Sequence, residues 1–292
     1  MRLSAVLPTL LLTVVAAAVF VLPAAPAYAA SAVLDRIKET GTITLAYREA
    51  AAPFSYKDRE GRVRGYSVEL CQRVATAIQK ALGLAQLRVE WLPVDAATRI
   101  EAVASGKADV ECGTTTVTLT RMQTVDFSLP IFVDGGSVLV RAKSRLTRLT
   151  DFRNRKVAVI GGTTTEQALA QALTALTAPA TLVPVKDAAE GMAALAQGKA
   201  DGYAADRVVL AALKQQAPNG SQLEFIAGDF SYEPYALVLP RNDPDFRLAV
   251  NRALAGLYRT GDIDPIFQRW LGGLGKPGPL LHAMFYLNTL PE

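Results

Sequence analysis

Residues 111–121 read ECGTTTVTLTR, five threonines and a glycine held between a cysteine and an arginine. Short hydroxyls and nearby backbone amides are hydrogen-bond donors of small reach, and a guanidinium is a planar fork that matches a carboxylate. The segment therefore has the chemistry of an anion-recognition loop ending in Arg121. A second donor-rich stretch, GGTTTE at 161–166, opens a helical pattern, and helix N-termini favour anions. It lacks the terminal Gly-Lys-Ser/Thr of a phosphate loop, so nucleotide binding is not indicated. Asp206 stands between the strand-like ADGYAA and the helical RVVLAALKQQ, the local position of an N-cap. Taken singly, these features have plainer readings as a polar loop, a solvated arginine and a helix cap. His282 is the only histidine, which leaves Ser-His-Asp or Cys-His catalysis without a base and a metal site without its usual ligand.

The elements that would position these residues alternate. TITLAY (42–47), a helix over 67–82, LRVEWLPV (87–94), a short helix over 97–105 and ADVEC (108–112) form one series. KVAVI (156–160), a helix over 165–176, ATLVPV, a helix over 188–197 and ADGYAA form a second. Strands alternating with helices imply α/β layers with mainly parallel strands. GKAD occurs at 106–109 and again at 198–201, each time after an apolar helix and before a strand, and both strands lead into polar candidates. Open α/β sheets bind ligands at the carboxyl ends of their strands. In the helix over 67–82, Val68, Cys71, Val74, Ala75 and Ile78 share one face, so Cys71 points at a core. Cys112 ends a strand-like run, and a helix packed on that sheet could bring the two sulfurs together, as a disulfide or as two buried thiols.

With 292 residues, half of them hydrophobic, the chain can bury a large core and suits two domains better than one. A net charge of +4 without a long basic run does not indicate a nucleic-acid partner. Arg2, the apolar stretch from Ala5 to Leu22 and the Ala27-Tyr28-Ala29 motif read as a signal peptide cut before Ala30, so export to the periplasm is expected.

Together the segments AYREAAAPFSYKD, GYSVELC, SGKADVECGTTTVTLTR, VDFSLPIF, GTTTE, AADRVVL and EPYAL resemble the family 3 periplasmic solute-binding proteins of amino-acid ABC transporters, in particular the glutamate/aspartate-binding branch. The resemblance implies the type II periplasmic binding protein fold, an α/β architecture of two lobes joined by two crossover hinge strands near Gly136–Arg141 and Tyr235–Leu239. Residues 1–29 would be the signal peptide, 30–137 the first part of lobe 1, 138–237 lobe 2, and 238–292 the return to lobe 1. It also implies a non-enzymatic monomer without cofactor or metal, whose partners are a free amino acid and a membrane permease. Arg121 would hold the α-carboxylate with Thr114 and Thr116, Asp206 the α-ammonium from the opposite lobe, and Thr163 and Thr164 would add donors. Arg48 and Arg99 would receive an acidic side chain. One departure is Ala188 after Lys186-Asp187, where some members carry a histidine. Two alternatives remain: a periplasmic dehydratase of prephenate-like acids on the same fold, with Glu111 or Glu166 as proton donor, and a soluble amino-acid sensor.

Overall fold

The structure is a computed structural model describing residues 31–292, so the expected signal peptide lies outside the described residues. The chain opens with α1 (Ala32–Thr40), β1 (Thr42–Arg48) and a small antiparallel sheet of β2 (Ala50–Ala51), β3 (Ser55–Lys57) and β4 (Val63–Arg64). It continues through α2 (Tyr66–Ala81), β5 (Arg88–Val94), α3 (Arg99–Ala104), β6 (Val110–Glu111) and β7 (Asp126–Asp134). A second series follows: β8 (Gly136–Arg141), β9 (Lys156–Ile160), α4 (Thr164–Ala175), β10 (Thr181–Val185), α5 (Ala188–Ala196), β11 (Gly202–Asp206), α6 (Arg207–Gln216) and β12 (Leu223–Phe225). The chain returns with β13 (Glu233–Leu239), α7 (Pro244–Thr260), α8 (Ile263–Leu271) and α9 (Pro279–Leu287).

Two five-stranded sheets result, ordered β5-β1-β6-β13-β7 and β10-β9-β11-β8-β12. This is the expected two-lobed α/β architecture. The strands are less uniformly parallel than the alternation suggested. β5, β1 and β6 run parallel, as do β10, β9 and β11, whereas β13 opposes β6 and β7, and β8 opposes β11 and β12. The reversed strands adjoin the passages between sheets. Only Gly135 separates β7 from β8, so no helix intervenes to restore direction.

The GKAD echo is a structural repeat. Gly106 and Gly198 follow α3 and α5 at φ of +74° and +71°, a conformation that ends a helix without strain only in glycine. Ala108 and Ala200 are both buried. The Asp109 carboxylate then accepts the Thr44 amide at 2.8 Å, and that of Asp201 accepts the Lys156 amide at 2.9 Å. Each four-residue unit therefore stops a helix and pins the neighbouring strand in register.

α2 lies against the first sheet through the predicted face, with Val68, Cys71, Val74, Ala75 and Ile78 buried. Cys71 and Cys112 are bonded as a disulfide, with both residues fully buried. Phe54, Tyr66, Phe132 and Tyr235 form a buried aromatic cluster beside it, with centroid separations from 4.9 to 6.0 Å. The disulfide closes a sequence separation of 41 residues. Chain-entropy arguments give about 4 kcal/mol for such a loop. Replacing both cysteines by serine, or adding reductant, is expected to lower unfolding stability by about 2–4 kcal/mol, read as a lower urea midpoint with a steeper slope because the unfolded chain is released from its cross-link.

Candidate functional site

A cavity of about 50 Å³ lies where the carboxyl ends of β1, β6, β9 and β11 face one another. Its first wall carries Arg48, Ala50, Ala51, Arg99, Thr114 and Thr116. Its second wall carries Ile160, Thr163, Thr164, Thr165, Ala188, Tyr203 through Asp206, and Val209. Seven of the eight residues expected to bind ligand thus meet around one space: Arg48, Arg99, Thr114, Thr116, Thr163, Thr164 and Asp206.

Arg48 is the last residue of β1 and Arg99 the first of α3, and both are buried. Arg99 Nη1 donates to the Thr114 carbonyl at 3.2 Å, while its Nε has no hydrogen-bond partner among the described residues. Burial, and next the nearby charge of Arg99, bring the Arg48 guanidinium down to about 10, against the opposing pull of Glu111. Among the described residues neither arginine forms an ion pair. Two buried cations without an ion-pair partner, eased only in part by the nearby charge of Glu111 on Arg48, make this wall attractive to an anion.

Arg121 is placed differently from the rest. It begins a short 3-10 turn, Arg121–Gln123, and does not belong to the cavity lining. Its Nη1 donates to the Thr116 carbonyl at 2.7 Å, so its guanidinium braces the threonine segment from behind. Burial and then Arg99 lower its pKa to about 10.

On the opposite wall Asp206 occupies the N-cap position of α6, but its carboxylate does not cap that helix. It accepts the Thr165 hydroxyl at 2.9 Å and the Tyr235 hydroxyl instead. Burial, and next the charge of Glu233, raise Asp206 to about 6. Asp134, reached through the Val208 amide and the Tyr235 hydroxyl, is raised as well, by burial and then by Asp206. Burial, reinforced by the crowding of carboxylates where the two sheets join, explains both shifts.

Several expected donors are already engaged. Thr163 caps α4, accepting from the Glu166 amide at 3.1 Å and donating to the Ile160 carbonyl at 2.7 Å. The Thr116 and Thr164 hydroxyls lie 3.1 Å apart and both donate to Glu233 Oε2, at 2.6 and 2.9 Å. Glu233, Tyr235, Thr165 and Tyr203 are the residues that sequence reasoning missed. EPYAL carried the first two in plain sight, but nothing in their spacing says that β13 passes beside the cavity. Glu111 and Glu166, the alternative proton donors, are not part of the lining; the first accepts from Thr115 and the second from the Gly162 amide.

Comparison with known proteins agrees with this geometry. An L-glutamate/L-aspartate-binding protein of Pseudomonas aeruginosa is 32% identical over 264 residues, 90% of this chain and 87% of its own. A glutamate/aspartate import solute-binding protein of Escherichia coli K12 is 29% identical over 247 residues, 85% of this chain and 81% of its own. The solved structure of an ancestral arginine-binding protein bound to glutamine matches at a TM-score of 0.71 and 29% identity, covering 80% of this chain and 98% of that one. The pattern of one family matches residues 43–273, and by that match the chain belongs to the bacterial extracellular solute-binding proteins, family 3.

Proposed function

We propose that this protein is the exported, extracytoplasmic receptor of an amino-acid ABC transporter, which captures glutamate or aspartate between its lobes and delivers it to a membrane permease. The observation that carries the choice of ligand is the charge of the cavity wall. Its only ionisable acids and bases of ordinary charge are Arg48 and Arg99 on one side and Asp206 on the other. Two guanidiniums and one carboxylate complement a ligand with two carboxylates and one ammonium. A neutral amino acid would leave one buried guanidinium without a partner. The names of the Pseudomonas and Escherichia relatives support the same choice.

In this reading Asp206 receives the α-ammonium and Arg48 and Arg99 face the carboxylates. The α-carboxylate lies along Thr114 and Thr116, whose segment Arg121 holds in shape. Each charge-assisted hydrogen bond contributes about 1.5–3 kcal/mol, enough to favour an acidic side chain over a neutral one by about 10- to 100-fold. Lobes spanning 30–137 with 238–292, and 138–237, would close about the two crossovers on the ligand. Ligand contacts from both walls stabilise the closed form and so shift its population. Hinge closure is a known behaviour of periplasmic binding proteins, applied here to this chain.

Titration calorimetry tests the assignment. Micromolar binding of L-glutamate or L-aspartate is expected, and no binding of either at millimolar concentration overturns it. Arg99→Ala should weaken acidic ligands by about 10- to 100-fold and glutamine less, whereas Arg121→Ala should weaken acidic and neutral ligands alike. The pH dependence has a fixed sign. Because Asp206 is raised to about 6, the ligand-free protein holds its proton more tightly than a free carboxyl near 4. That proton stabilises the ligand-free fold at low pH, and its contribution fades as pH rises through about 6. An ammonium requires the charged form, so binding expels the proton. Affinity is expected to fall as pH drops below about 6, by up to tenfold per unit, with proton release detectable from the buffer dependence of the binding heat.

A further inference from the structure

The second wall contains a polar atom that the functions assigned so far leave idle. Tyr203 lies on β11 and lines the cavity, and its side chain is fully buried. Its hydroxyl has no hydrogen-bond partner among the described residues. A buried hydroxyl left unsatisfied is destabilising, and phenylalanine would fill the same core position without that cost. The ring's path is also purpose-built. A Cβ on Gly191 would lie 2.2 Å from the Tyr203 ring, so the middle of α5 carries a glycine, a residue that weakens helices, to let the ring pass. The hydroxyl is thereby brought towards the start of α5, where Ala188 offers only a methyl group to the same cavity. The charges acting on it are those of Asp206 and Asp187 on its own side and Arg48 across the cavity. Burial, and next Asp206, raise its pKa, so it remains an O–H donor throughout the useful pH range.

We propose that the Tyr203 hydroxyl is a specificity-determining donor of the second lobe, which takes a side-chain carboxylate oxygen of the bound acidic amino acid opposite Arg48, with Gly191 as its positioning residue. The proposal rests on the acidic-ligand reading of the cavity. It places one neutral and one charged donor on either side of the distal group. It also gives the second lobe a stake in the side chain, in addition to its hold on the ammonium.

The test compares the parent protein with Tyr203→Phe, which removes one oxygen and keeps the ring. Both are titrated with L-glutamate and L-aspartate, and with L-2-aminobutyrate by competition, since that ligand keeps the α-groups and has no polar side chain. Tyr203→Phe is expected to lose about 10- to 100-fold affinity for the acidic ligand and to bind L-2-aminobutyrate within twofold of the parent. The ligand-free variant is expected to melt at a higher temperature, because the unsatisfied hydroxyl has gone. Gly191→Ala, which keeps the hydroxyl but displaces the ring, should show the same selective loss. Acidic affinity within twofold of the parent in Tyr203→Phe, or an equal loss for L-2-aminobutyrate, overturns the proposal alone. Failure of the parent itself to bind either acidic amino acid overturns the ligand reading and this proposal together.

Discussion

The structure depends on an electrostatic imbalance across a narrow space. Arg48 and Arg99 are buried at the ends of first-sheet elements with no carboxylate paired to them among the described residues, and Asp206 stands partly buried opposite, held by two hydroxyls. Desolvating such groups separately is unfavourable, and the unfavourable part is visible as the depressed proton affinity of Arg48 and the raised one of Asp206. A zwitterion carrying a second acid relieves both sides at once. The family to which the chain belongs gives that imbalance a use, because capture needs a site that is worse off empty than filled.

The surroundings keep the imbalance from collapsing. Tyr235 packs against Phe54 and Phe132, which Tyr66 backs in turn, and its hydroxyl holds Asp206. The disulfide fixes Cys112, only two residues ahead of Thr114, to the underside of α2. Arg121 holds the Thr116 carbonyl. The second wall is therefore held in part by a residue of the first sheet, whereas the threonine segment of the first wall is braced from within its own lobe.

Part of this was legible beforehand. The alternation of strands and helices and the buried face around Cys71 are local patterns that survive folding, whereas the grouping of both threonine-rich segments with Arg48, Arg99 and Asp206 was implied only by the family resemblance. What escaped was whatever depends on distant pairing. Whether Thr163 serves a ligand or its own helix is decided by the Glu166 amide and the Ile160 carbonyl, not by its neighbours in sequence. The position of Arg121 behind Thr116 follows from a 3-10 turn that no periodicity announces. Nothing in the run ADGYAA singles out Tyr203, since only three dimensions reveal that its oxygen has no partner among the described residues.

Glu233 carries a last implication. One of its oxygens receives hydroxyls from Thr116 and Thr164, which belong to opposite walls, so the receptor already ties its two halves together with bonds of its own. The carboxylate of that clasp lies beside the cavity and outside its lining, so it favours this arrangement of the walls before any amino acid arrives. Tuning the strength of this resident clasp would then adjust how readily cargo is taken up and given away while every residue that touches the cargo stays the same.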